Sequence, residues 1–193
     1  MKIVRCAAVL TLVFAVCAVT ADDKKMEMGA MMEKMMKHGA PGEAHKLFDR
    51  FVGNWTFTGK MWMDPSSEPM PVSGTAENKL VFGGRFLKMH CMSEDKTSWE
   101  GSGVWGYDNQ KKKFVFSWVD TMSSGIMTGE GTYDKAKNTL TWESECYCPI
   151  REKKMPMREV IEFKTDGTIH STAWTKEGGK DVKAMEMTYT RAK

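Results

Sequence analysis

From Trp55 to the C-terminus apolar and polar residues alternate in short runs, and the runs are broken by clusters of Gly, Asn, Asp, Ser and Lys. A period of two is the mark of strands with one buried face. The pattern predicts about ten strands, at residues 55–63, 72–82, 85–93, 98–107, 114–121, 125–133, 139–147, 155–164, 168–175 and 182–190. Just ahead of them the spacing is helical. Ala44, Leu47, Phe48, Phe51 and Val52 recur on one face, Glu43 stands in the first turn, and Gly53 follows the last turn, so a short amphipathic helix is predicted over residues 42–52.

Two turns repeat each other. Tyr107, Asp108 and Phe114 match Tyr133, Asp134 and Leu140 at the same internal spacing, 26 residues apart, each with a Lys-rich, Asn-containing loop between. Two strands and two tight turns fill that interval, so consecutive strands are neighbours in an up-and-down meander. Ten strands with little helix must hide their edges, and closure into an antiparallel β-barrel does so directly. A two-sheet sandwich is the alternative.

The start of the chain differs from the rest. Lys2 and Arg5 precede an uncharged apolar run from Cys6 to Val19, and Asp22 and Asp23 follow. The run is shorter than the roughly 20 residues that span a bilayer, and Val19 and Ala21 suit cleavage after Ala21, so residues 1–21 are expected to be a secretory signal peptide. Acylation at Cys17 is disfavoured by the bulky Val16 before it. Residues 22–41, with Met26, Met28, Met31, Met32, Met35 and Met36, form a Met-rich leader expected to be a flexible or marginally helical tether outside the core. Residues 42–193 are then one domain, long enough for its own core, and the product is expected to be soluble in a periplasm or outside the cell. After cleavage 26 Lys and Arg face 25 Asp and Glu, and so balanced a surface argues against a nucleic-acid or anionic-membrane partner. Cys91, Cys146 and Cys148 remain. At most one bridge can form among them. Cys146 and Cys148 lie two apart in one strand, too far for easy disulfide geometry, so a bridge is expected to use Cys91.

Gly53-Asn54-Trp55, opening the first strand after a short helix, resembles the G-x-W signature of lipocalins and related calycin barrels. That resemblance implies a basic residue on the last strand packed over the Trp, and Arg191 stands in that position. A closer resemblance is to the bacterial domain of unknown function 1579, carried by Val52-Gly53-Asn54-Trp55, Gly59-Lys60-Met61-Trp62-Met63, Gly83-Gly84-Arg85-Phe86-Leu87, Gly106-Tyr107-Asp108-Asn109, Trp118-Val119-Asp120, Gly131-Thr132-Tyr133-Asp134 and Arg158-Glu159-Val160. It implies an all-β, lipocalin-like barrel that is exported, and it carries no established activity.

Candidate chemistry is sparse. Phe114, Phe116, Trp118 and Asp120 share one strand face, taken as inward, which sets Asp120 near a barrel mouth. There it either orients a ligand lying on the aromatics or caps the following turn. Arg85 and Arg158 are the basic residues expected inward, partnered by Glu77, Glu130, Glu143 or Glu159 in a structural network or an anion-binding floor. The four histidines, His38, His45, His90 and His170, form no ligand-spaced set, which argues against a zinc enzyme. Similarity to nitrobindin barrels points to His170 as a haem ligand, but their Gly-rich opening motif is missing. The leader methionines are candidate Cu(I) ligands through their thioethers; a simple Met-rich composition is the better account of them. No cofactor is the expectation. No G-x-S-x-G motif supports a catalytic triad.

Three functions follow. The first is a binding module holding a small amphipathic molecule in its lumen, with Arg85, His90, Trp118, Asp120 and Arg158 facing the ligand. The second is a barrel enzyme using Asp120 and His90 as acid and base. The third is an envelope-associated protein with a solid core whose leader makes the contacts. A filled lumen contradicts the first two.

Overall fold

The computed structural model describes residues 21–64, 67–96, 98–148 and 151–193. The predicted signal peptide, apart from Ala21, and Cys17 lie outside the described residues. The leader carries α1, Ala21–His38, whose side chains are exposed from Lys24 to His38, the methionines among them. It is a unit apart from the compact unit Gly39–Lys193. Among the described residues no helix is long and apolar enough to cross a membrane.

Ten strands follow: β1 Gly53–Met61, β2 Met70–Val81, β3 Phe86–Ser93, β4 Glu100–Asp108, β5 Lys113–Asp120, β6 Met127–Asp134, β7 Thr139–Cys148, β8 Lys153–Phe163, β9 Ile169–Glu177 and β10 Lys180–Arg191. Each predicted strand is present, with ends displaced by no more than two residues. The order is a meander closed by β1 against β10, so every strand is antiparallel to both neighbours and the sheet has no edge. The sandwich is thereby excluded. The repeated turns are alike in detail: Asp108 accepts from the backbone of Gln110 and Lys111, Asp134 from that of Ala136 and Lys137, and Lys112 and Asn138 both have positive φ.

The amphipathic segment before β1 is a 3-10 helix, Glu43–Arg50, where an ordinary helix was expected. His45 accepts from the Gly42 backbone N–H at 2.9 Å, and burial pushes its pKa down, keeping the ring neutral for that role. Leu47, Phe48 and Phe51 are driven into one end of the barrel as a plug. Their rings meet the walls edge-on: Phe48 on Phe114 at 5.8 Å, and Phe51 on Trp105 at 5.0 Å and on Phe163 at 5.1 Å. The carbonyls leaving the plug, which have no partner along the helix, are taken by the barrel. Trp55 Nε1 and Asn78 Nδ2 both donate to Phe51 O, and Arg191 donates to Val52 O at 2.8 Å. The Arg191 guanidinium lies 4.5 Å over the Trp55 ring, as expected from the calycin resemblance. Gly53, at φ 119, leaves it room: a Cβ there would stand 2.9 Å from Arg191 Nη1.

Inside, large rings lie flat on glycines of the neighbouring strand. Trp142 of β7 covers Gly131 of β6, and Phe116 of β5 covers Gly129, where added Cβ atoms would stand 2.5 Å and 2.4 Å from the rings. Small residues on β6 therefore let the barrel hold rings that its radius would otherwise reject. Gly131→Ala is expected to cost about 1–3 kcal/mol through overpacking, read as a lower denaturation midpoint with unchanged slope.

Candidate functional site

The barrel is solid at the plugged end and hollow at the other. Inward residues near the plug, such as Trp55, Leu87, Phe114, Leu140 and Trp142, are buried. Toward the opposite end, inward Phe116, Trp118, Ser144, Cys146 and Met157 keep part of their surface accessible. There a cavity of about 880 Å³ opens, walled by the ends of β5, β7 and β9, the starts of β6, β8 and β10, and Trp62 and Met63 after β1.

Trp118 is the main aromatic wall of the mouth. It lies over Gly101 and Gly103 of β4, where added Cβ atoms would stand 2.4 Å and 2.6 Å from its ring. It also stacks on Trp99 with centroids 6.1 Å apart and planes 20° from parallel. Its indole N–H donates to Asp120 Oδ2 at 3.0 Å, while Asp120 Oδ1 accepts from the Met122 backbone at 2.9 Å. Asp120 thus caps the turn and also lines the cavity. On the far side of the rim Arg151 bridges Glu177 and, at 3.3 Å, Asp64, joining β9 to the segment after β1.

Below the mouth the lumen holds polar groups among apolar ones. Glu159 of β8 is enclosed by the wall, and Ser171 of β9 donates to it at 2.5 Å. Burial pushes the Glu159 pKa up against that hydrogen bond. Tyr189 of β10 is raised as well, by burial first and then by Cys91 and Glu159. Both keep some accessible surface although enclosed, so they face interior space. Trp142 pairs with Glu159 across β7 and β8, and its buried Nε1 meets no acceptor among the described residues. Cys91, also inward, is a thiol pushed up to about 12 by burial and inert at neutral pH.

Of the residues singled out from the sequence, Trp118 and Asp120 come together at the mouth, and Gly53, Trp55 and Arg191 at the plug. The others do not join them. His90 alternates with buried Met89 and Cys91, so it faces outward and pairs with Glu100 at 2.7 Å; it shares no site with Asp120. Arg158, expected inward, shares the outer face with Val160 and Glu162, where it lies 4.4 Å over Trp174 and pairs with Asp181. Arg85 sits in the turn between β2 and β3, donating to Phe82 O. Glu77 and Glu130 hold Lys79 and Lys111 on the outer face, and Glu143 alternates outward between Trp142 and Ser144. His170 also faces outward, alternating with buried Ile169 and Ser171. For those on strands the physical reason is shared: a charge faces water unless its neighbours two positions away are buried. That same rule finds Glu159, because its parity on β8 is that of Met155, Met157, Ile161 and Phe163. It likewise finds Cys146 and Cys148, which follow Leu140 and Trp142. Cys91, Cys146 and Cys148 are free thiols.

A family model described as a protein of unknown function (DUF1579) matches residues 40–191. No curated protein matches the chain. Among solved structures, Rv2717c from M. tuberculosis is 13% identical over 80% of this chain and 100% of that one, with a TM-score of 0.56. The S-type phycobiliprotein lyase CPES from Guillardia theta is 18% identical over 81% of this chain and 96% of that one, with a TM-score of 0.54. At these identities the likeness is one of fold.

The Glu159 carboxyl makes a pH prediction. With its pKa raised in the folded state, the native protein loses stability as pH rises from the ordinary value of 4.5 through the raised one, and stays less stable above it. Glu159→Gln keeps the Ser171 contact and removes that loss. Its melting temperature should exceed the parent's at neutral and alkaline pH, with the difference vanishing below pH 4.5; no gain at alkaline pH would mean the carboxylate is already neutralised.

Proposed function

The chain belongs to the DUF1579 family, defined by sequence and not by activity, and we propose that this member is a carrier that holds a small amphipathic molecule in the open half of its barrel. The observation that carries the reading is the division of the interior: one end is plugged by Phe48 and Phe51, while the other holds about 880 Å³, within the range of small-molecule sites. Trp118, Trp62 and Met155 offer apolar wall, and Asp120 and Arg151 offer polar anchors at the rim.

The enclosed Glu159 also supports the reading. A buried carboxyl with only a serine partner does not stabilise a barrel, so its presence fits a lumen shaped for contents. Among solved structures, a phycobiliprotein lyase has a similar barrel. The basic and apolar opening of the sequence supports export as the setting in which the carrier works.

The test uses 1-anilinonaphthalene-8-sulfonate, an amphipathic ring compound that brightens in apolar sites. Saturable binding of one probe per chain, quenching tryptophan emission, is expected. Trp118→Ala should weaken it by up to about tenfold, the equivalent of about 1.4 kcal/mol of aromatic contact. Ser144→Trp, which fills the cavity from β7, should abolish it with the strand signature retained. Binding that ignores both substitutions would contradict the proposal.

A further inference from the structure

Three sulfurs, of Cys146, Cys148 and Met155, line the cavity mouth. Cys146 and Cys148 share one face of β7, since both have the parity of buried Leu140 and Trp142, which stand six and four positions before Cys146, and both cysteines line the cavity. Met155 of β8 stands directly across from Cys146 in the β7–β8 register and is buried against the same cavity. The Cys146 thiol donates to Met155 O at 3.8 Å, which holds it toward β8. Two positions along one strand face is a poor span for a disulfide, and both thiols are free.

We infer that Cys146, Cys148 and Met155 form a binding site for a soft monovalent metal ion, Cu(I), at the mouth of the barrel. The donor set decides the metal. No third His, Cys, Asp or Glu joins the two thiols among the described residues, so hard divalent ions lack oxygen ligands and zinc lacks the set of three or four ligands it takes, whereas two thiolates and a thioether suffice for Cu(I). Binding releases two protons, one from each thiol, and leaves a complex of net charge −1. Unlike the exposed methionines of α1, these sulfurs belong to two paired strands, which pre-arranges them.

The experiment is an anaerobic titration of the whole reduced chain with Cu(I) against bicinchoninate, followed by X-ray absorption of the bound metal. One Cu(I) per chain withheld from the chelator, with a sulfur-only shell, is expected. Cys146→Ser and Cys148→Ser should each lose it, Met155→Leu should weaken it, and Cys91→Ser should leave it unchanged. Replacing the six leader methionines by Gln should also leave it unchanged. Failure to compete with the chelator, a shell of nitrogen or oxygen, or retention of Cu(I) by both single cysteine variants would overturn the assignment. So would its loss in the leader variant.

Discussion

Seven pairs between β1 and β10, from Trp55 opposite Arg191 to Met61 opposite Met185, close the sheet on itself, and the remaining features depend on that closure. A ten-stranded open sheet would expose two edges and one apolar face. Closed, it has neither, and its inward side becomes a lumen whose ends differ. The last strand also delivers Arg191 to the first. There the guanidinium covers Trp55 and accepts the task of satisfying the carbonyl of Val52. One cation thus ties the beginning, the end and the plug of the barrel together.

The plug makes the two ends unequal. Phe48 and Phe51 fill the space beneath Trp105, Phe114 and Phe163 with rings packed edge to face, and the solid core stops near Trp142. Above that level Phe116 and Trp118 lie back against glycines of β6 and β4, which keeps them on the wall and out of the lumen. Rings laid flat on glycine leave a hollow where upright rings would fill it. The cavity is therefore a consequence of where small residues stand on the neighbouring strands.

The sequence pattern carried most of the fold. Alternation marked all ten strands, and the repeated Tyr-Asp turns pointed to a meander, because turn chemistry and period two are local properties. The helical type of the segment before β1 was less legible. Its apolar spacing fits a helix, but a Gly42–His45 contact and docking into the barrel end tighten it to a 3-10 form. The site was legible in part. Trp118 and Asp120 share parity with buried Phe114 and were found. The chemistry and motifs of Arg85, His90 and Arg158 say nothing of their direction, and parity with buried neighbours turns His90 and Arg158 outward. Applied strand by strand, it also turns Glu159, Cys146 and Cys148 inward. What no local pattern supplies is the plug's depth, which together with the placement of the glycines decides how much of the lumen is filled.

The proposed carrier role requires a lumen that is empty of protein at one end and holds a ligand in use. Native mass spectrometry of the protein, isolated gently from its own host and compared with the same sample after denaturation, addresses that most directly. A reproducible extra mass that leaves on denaturation, and that is missing from Ser144→Trp, is the predicted result. An identical, unliganded mass for parent and variant, in preparations that retain other proteins' ligands, would contradict it.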